Sequence, residues 1–260
     1  MDIYILSSGR PFRQDTWGAL PKKIRERVVM LVPEKEVTAY ANVYPCVLPC
    51  PVMGIGRTRQ FAVSRSAAGK LVMLDDDLTF AVRRTDEPHK FLPAEDVDIE
   101  DMFEEIEDKL DSFAHVGVAT REGGNRNTER YLHTTRMLRI LAYDARVLKK
   151  EHINFNRLPV MEDFDVTLRL LRLGYDNVLL NRIVHNQYGS NAAGGCSQYR
   201  TMEVQEKAAK DLAALHHPYV RLVRKQTKGA WGGQARTDVV ISWKQAYSAC
   251  PKPARQLAGA

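Results

Sequence analysis

The chain has 260 residues, 44% of them hydrophobic, enough for one large α/β domain or two small ones around a sizeable core. Thirty-eight basic against thirty-two acidic residues leave a net charge of +6, which favours an anionic partner, nucleotide or nucleic acid. No apolar run approaches the ~20 residues of a membrane-spanning helix, MDIYILSSGR is no secretory signal, and Cys46, Cys50, Cys196 and Cys250 make no disulfide framework, so a cytoplasmic protein with no membrane partner is expected.

In chain order, Asp2 to Leu6 reads as a first strand ending in the small-residue turn SSGRP, and Arg27 to Val32 as a second strand stopped by Pro33. Tyr44 to Val52 carries three prolines and is an edge strand or loop. Its Cys46 and Cys50 have no second Cys/His pair to complete a zinc site. Arg57 to Ala68 has helical apolar spacing. The preceding GIGRTR is not a dinucleotide fingerprint, because no strand precedes it and no third glycine follows.

Leu71 to Leu74 is a short buried strand that runs directly into Asp75, Asp76 and Asp77. Asp75 and Asp77 project to one side of an extended segment and Asp76 to the other. Two carboxylates at a strand's carboxyl end suit a hard divalent cation that keeps positions open for phosphate oxygens. A solvated Asx turn is the plainer alternative.

Met102, Phe103, Ile106, Leu110 and Phe113 follow helical spacing with carboxylates on the other face, and His115 to Ala119 is a strand. Met137 to Ala142 is a further strand, after which Asp144 caps a short helix. Glu162 and Asp163 open a helix from Phe164 to Leu173, where capping explains one acid and a general base would explain the second. A strand begins at Asn177 and ends at Leu180. Beyond it, His185 precedes the small-residue loop SNAAGG, which leads to Tyr199 and Arg200; this arrangement suits an imidazole metal ligand and a guanidinium phosphate clamp. Glu203 to His216 is a last amphipathic helix. Arg221, Arg224, Lys225 and Lys228, with Trp231 nearby, suit nucleic-acid phosphates. We expect one catalytic domain over 1–228 and a loosely held extension over 229–260.

GRTRQFAVSRSAAGKLVMLDDDLTF, MEDFDVTLRLLRLGYDN and GGCSQYR together resemble the glycosyltransferase A fold and, more narrowly, the TET/JBP-associated glycosyltransferases, over roughly Asp2 to Lys228. Members of that family are largely encoded by tailed phages and are implicated in moving a sugar from a nucleotide donor to 5-hydroxymethylcytosine in DNA. The resemblance implies a mostly parallel central sheet flanked by helices, a UDP-sugar donor, Mn2+ or Mg2+, duplex DNA as partner and the host cytoplasm as location. It implies Ser8, Arg10 and Arg59 at the donor nucleotide, Asp75 by the ribose with Asp76 beside it, and Asp77 as the main metal ligand completed by His185. Glu162 and Asp163 match the pair that supplies the base in inverting members of the fold, with Asp163 favoured. Three other readings stay open: a non-DNA acceptor, a sugar-nucleotide pyrophosphorylase, and a non-catalytic nucleic-acid-binding module.

Overall fold

A computed structural model describes residues 1–187, 195, 199–227 and 233–250, the side chain of Asn125 excepted. Its strands are β1 (Asp2–Leu6), β2 (Val28–Pro33), β3 (Val47–Cys50), β4 (Lys70–Asp75), β5 (Leu78–Arg83), β6 (Phe91–Pro93), β7 (His115–Thr120), β8 (Tyr131–His133), β9 (Ile140–Asp144), β10 (Asn177–Gln187), β11 (Val220–Gln226) and β12 (Ala235–Ile241). The α-helices are α1 (Asp15–Ala19), α2 (Lys22–Arg25), α3 (Val37–Ala41), α4 (Ile55–Arg65), α5 (Asp96–Lys109), α6 (Ala145–Lys150), α7 (Glu162–Arg172), α8 (Met202–Leu215) and α9 (Trp243–Ser248).

One ten-stranded sheet runs in the order β3-β2-β1-β4-β9-β7-β10-β5-β6, with β8 also on β10. β3, β2, β1 and β4 pair in parallel, as do β7 and β10; β9 lies antiparallel between β4 and β7. The central sheet flanked by helices is therefore the layout expected from the sequence, and β3 is the edge strand its prolines demand. Side-chain alternation divides the core in two. Ile3, Ile5, Val72 and Leu74 pack on one face with Ile99, Met102, Phe103 and Ile106 of α5. Tyr4, Leu6, Leu71 and Met73 pack on the other with α4, α6 and α7. With both faces covered, β4 carries four successive buried apolar residues instead of an alternating pattern.

Helix α7 is buried on two sides. Val166 and Leu170 join the sheet core, while Phe164 and Leu168 join a third cluster with Leu212 of α8, Val220 of β11, Val239 of β12 and Ala246 of α9. The extension expected to be loose after residue 228 thus holds a strand and a helix, and the expected boundary falls inside the antiparallel β11–β12 hairpin. Two further expectations are corrected. The strand expected at Met137 starts at Ile140, because Arg139 has φ 61°. β10 does not stop at Leu180 but shifts register against β7 and continues to Gln187, so His185 lies within a strand.

Candidate active site

The in-register pairing of Leu6 with Asp75 sets the turn after β1 beside the triple aspartate, at the carboxyl edge of the sheet. Asp76 turns inward and is 5% exposed. It accepts hydrogen bonds from Ser7 Oγ and Arg10 Nη1 (2.7 Å), and Gln14 and Tyr40 hold Ser7 in turn. Thr16 pins the turn, donating through Oγ1 to the Asp75 carbonyl (2.6 Å) and accepting from Leu78 N (2.8 Å). Arg10 also reaches Asp77 (3.3 Å). Three adjacent like charges are stable here because a guanidinium and neutral donors converge on the middle one. Asp76 thereby braces the turn after β1 against the end of β4.

Asp75 and Asp77 border the recess, partly exposed. Burial pushes the Asp75 carboxyl up to about 6, against the pull of Arg59 and with Asp77 and Asp76 adding repulsion. Arg59, 5% exposed on α4, ion-pairs with Glu162 of α7 and lies 3.5 Å from Asp75. It therefore ties the triple aspartate to the acidic pair. Its helix lies tight against the chain near Phe155: a Cβ on Gly56 would collide with the Phe155 carbonyl. The glycine in GIGRTR serves that close approach, not a phosphate.

Met161, just before α7, has φ 64°, a strained conformation for a branchless but bulky residue. As successive residues of one helical turn, the two acids that follow point in different directions. Glu162 points into the protein at 3% exposure, and burial pushes its carboxyl up to about 7 against the opposing pull of Arg59. Asp163 stays part-exposed and lines the recess, its Oδ1 accepting from Phe164 N (3.0 Å) at the positive end of the helix.

The recess has a volume of about 560 Å³ and gathers most of the expected residues: Ser8, Arg10, Arg59, Asp75, Asp76, Asp77, Glu162, Asp163 and Arg200 all line it. Ser8 donates to Glu36 (3.2 Å) and Arg200 to Gln205 (3.0 Å). His185 does not line it. That residue is fully buried between β5 and β7, and burial pushes its imidazole down to about 3, so it is not brought to Asp75 and Asp77 as a third metal ligand. Among the described residues no group of three His, Cys, Asp or Glu side chains could hold a metal alone. The oxygens of Asp75 and Asp77 still fit Mg2+ or Mn2+, ions that bind through one or two carboxylates and complete their shell with water and substrate phosphate.

Several lining residues escaped the sequence reading: Arg136, Arg139, Gln187, Arg236, Asp238 and Trp243. Arg136 and Arg139 sit in a segment of irregular backbone, and the last three on β12 and α9. Of the residues expected to meet nucleic acid, Arg221, Arg224 and Lys225 are all exposed on β11, and Lys225 also borders the recess and pairs with Asp238 (3.3 Å). Lys228, Trp231 and the SNAAGG loop up to residue 194 lie outside the described residues.

The chain is 26% identical over 201 residues to proteins named beta-glucosyl-HMC-alpha-glucosyl-transferase from Enterobacteria phages T2 and T6, covering 70% of this chain and 70% of each relative. Among solved structures it is similar to S. aureus TarS 1-349 (TM-score 0.46, 12% identity, 80% of this chain, 64% of that one), of which it spans less than two thirds. Glucosyl-3-phosphoglycerate synthase from Mycobacterium tuberculosis, in complex with Mn2+, UDP and glucosyl-3-phosphoglycerate, is a second likeness (TM-score 0.48, 10% identity, 90% of this chain, 88% of that one). The model of the family described as TET-Associated Glycosyltransferase matches residues 1–195, three quarters of the chain, and the chain belongs to that family of glycosyltransferases.

Proposed function

We propose that the protein transfers a sugar from a nucleotide-sugar donor, a UDP-sugar, to a hydroxyl carried by 5-hydroxymethylcytosine in DNA. The observation that carries this reading is one recess lined by Asp75, Asp77 and Asp163 together, with Arg59 bridging Asp75 and Glu162. The donor's diphosphate lies toward Asp77 and Arg200, and its nucleoside toward Ser8. The acceptor hydroxyl gives its proton to Asp163 as its oxygen bonds to the anomeric carbon; the bond from that carbon to the diphosphate breaks, and the electron pair leaves with the phosphate. Arg200 stabilises the charge that develops on the leaving group. A divalent ion held by Asp77 and Asp75 would supply Lewis-acid neutralisation of the same diphosphate.

The names of the phage T2 and T6 relatives support a hydroxymethylcytosine-linked acceptor, including one that already bears glucose. The test is incubation of the protein with hydroxymethylated DNA, a panel of nucleotide sugars and manganese, followed by nucleoside mass spectrometry. A mass increase of one sugar on the modified nucleoside is expected. Donor turnover with small alcohols alone, and none with DNA, would overturn the acceptor.

A further inference from the structure

We infer that β12 and α9 build the acceptor half of the recess, and that the acceptor nucleotide enters it swung out of the duplex, its ring against Trp243. This deepens the proposed function and rests on it.

The proton acceptor marks where the two substrates meet. On one side of Asp163 lie the triple aspartate and Ser8; on the other the recess is closed by Phe164, Arg136, Val239, Ile241 and Trp243. The acceptor hydroxyl must sit between the base and the anomeric carbon, so the rest of the acceptor molecule lies against this second wall. Its chemistry is that of a ring-binding surface. Trp243 is only partly buried and meets Phe164 edge-on, with ring centroids 5.8 Å apart at 80°. The Arg136 guanidinium covers the Phe164 ring at 4.8 Å, leaving the indole as the aromatic surface beside it. At the rim, Arg236 (2.7 Å) and Lys225 (3.3 Å) converge on Asp238, so the positive groups are held in place beside the opening. An aromatic wall with a cationic rim matches a base attached to phosphates.

Size favours extrusion. Asp163, part-exposed, lines a recess of about 560 Å³. A cavity of this size takes a small molecule or a single swung-out nucleotide and cannot admit a stretch of duplex. A hydroxymethyl group left in the groove therefore stays outside. The wall also belongs to this chain's own C-terminal region: β12 and α9 lie beyond residues 1–195, which the family model matches.

Two measurements test this on the full chain. Initial rates are compared on duplexes identical except that the hydroxymethylcytosine faces guanine or an abasic position. Extrusion from a pair costs a few kcal/mol, so kcat/KM should rise roughly tenfold or more on the unpaired target. Trp243→Ala should raise the acceptor KM by roughly tenfold to a hundredfold, the range of losing one stacked ring, and Trp243→Phe should restore most of it. Thermal melting and UDP titration of both variants report whether they fold. Equal rates on paired and unpaired targets, or an unchanged acceptor KM in a folded Trp243→Ala, would overturn the inference while leaving DNA glycosylation intact. A wild-type protein that modifies no DNA at all would instead sink the proposed function beneath it.

Discussion

At the scale of single residues, the two neighbouring acids Glu162 and Asp163 differ by environment alone. Both line the recess, but Glu162 is 3% exposed and paired with Arg59, whereas Asp163 is part-exposed. Asp163→Asn should lower kcat by about 10²- to 10⁴-fold, the usual reach of a positioned general base, while UDP binding measured by calorimetry persists. A kcat within a few-fold of wild type would remove the base from this position. The sequence placed both acids at the start of a helix but left them equivalent, because which of two successive helical residues faces inward is set by packing against the distant Arg59.

Glu162 also gives a pH signature. Its carboxyl lies at about 7 in the folded protein against 4.5 when unfolded. A raised carboxylate stabilises the fold fully below the unfolded value, and that contribution fades as pH rises through the folded one. Wild-type stability should therefore decline between about pH 5 and 7.5 by on the order of 1–3 kcal/mol from this group. Asp75, raised to about 6, adds a loss of the same sign. Denaturant melts across this range should show a shallower decline for Glu162→Gln than for wild type. Parallel curves would mean that Glu162 ionises normally.

At the scale of elements, α7 couples the sheet to the C-terminal hairpin through a buried contact as well as apolar packing. Asp165 of α7 meets His216 Nε2 at 2.7 Å, both side chains 1% exposed, with Arg157 3.5 Å from the other carboxylate oxygen. Removing the carboxylate leaves the buried His216 Nε2 without its hydrogen-bond partner, so Asp165→Ala should cost about 1–3 kcal/mol in an unfolding titration. The exposed Lys207–Asp211 pair on α8 provides the contrast, and Asp211→Ala should change stability by about 0.5 kcal/mol or less. Similar losses at both sites would mean that the buried contact does not join the two units.

Elements that the sequence disclosed are those whose burial is uniform. β1, β2 and β4 carry contiguous apolar runs because both their faces are covered, and Asp144 at the start of α6 accepts from Arg146 N as its cap. β11 and β12 stayed hidden because the hairpin buries little: most of VRLVRKQ is exposed, and in ARTDVVI a buried Asp238 interrupts the apolar residues. His185 misled for a related reason. The register shift between Leu180 and Val184 places polar Asn181 and Arg182 inside β10, which reads as the end of a strand. The three acids of the turn and the acidic pair were legible because their chemistry is dense in sequence. Their linkage through Arg59 was not, since it joins residues more than a hundred positions apart.

At the scale of the whole molecule, charge is divided between opposite sides of the sheet. The acidic helix α5 packs on one face and exposes Asp96, Asp101, Glu104 and Asp108. The hairpin packs through α7 on the other side and exposes Arg221 and Arg224. Asp101 and Glu104 are met by Arg182 and Lys23, so what distinguishes the two sides is the exposed Arg221 and Arg224, which draw a polyanion toward the hairpin. If duplex DNA lies on this side, each phosphate neutralised releases counterions and adds about 0.9 to the slope of log affinity against log salt. Four such contacts would lower affinity roughly a hundredfold between 50 and 200 mM salt. Replacing Arg221 and Arg224 together with alanine should flatten that slope by about 2 without altering UDP binding, as read by fluorescence anisotropy of labelled duplex across a salt series. A slope already near zero in the wild-type protein would mean that the acceptor is not held by its backbone. An unchanged slope in the double variant would move the DNA to another face of the molecule.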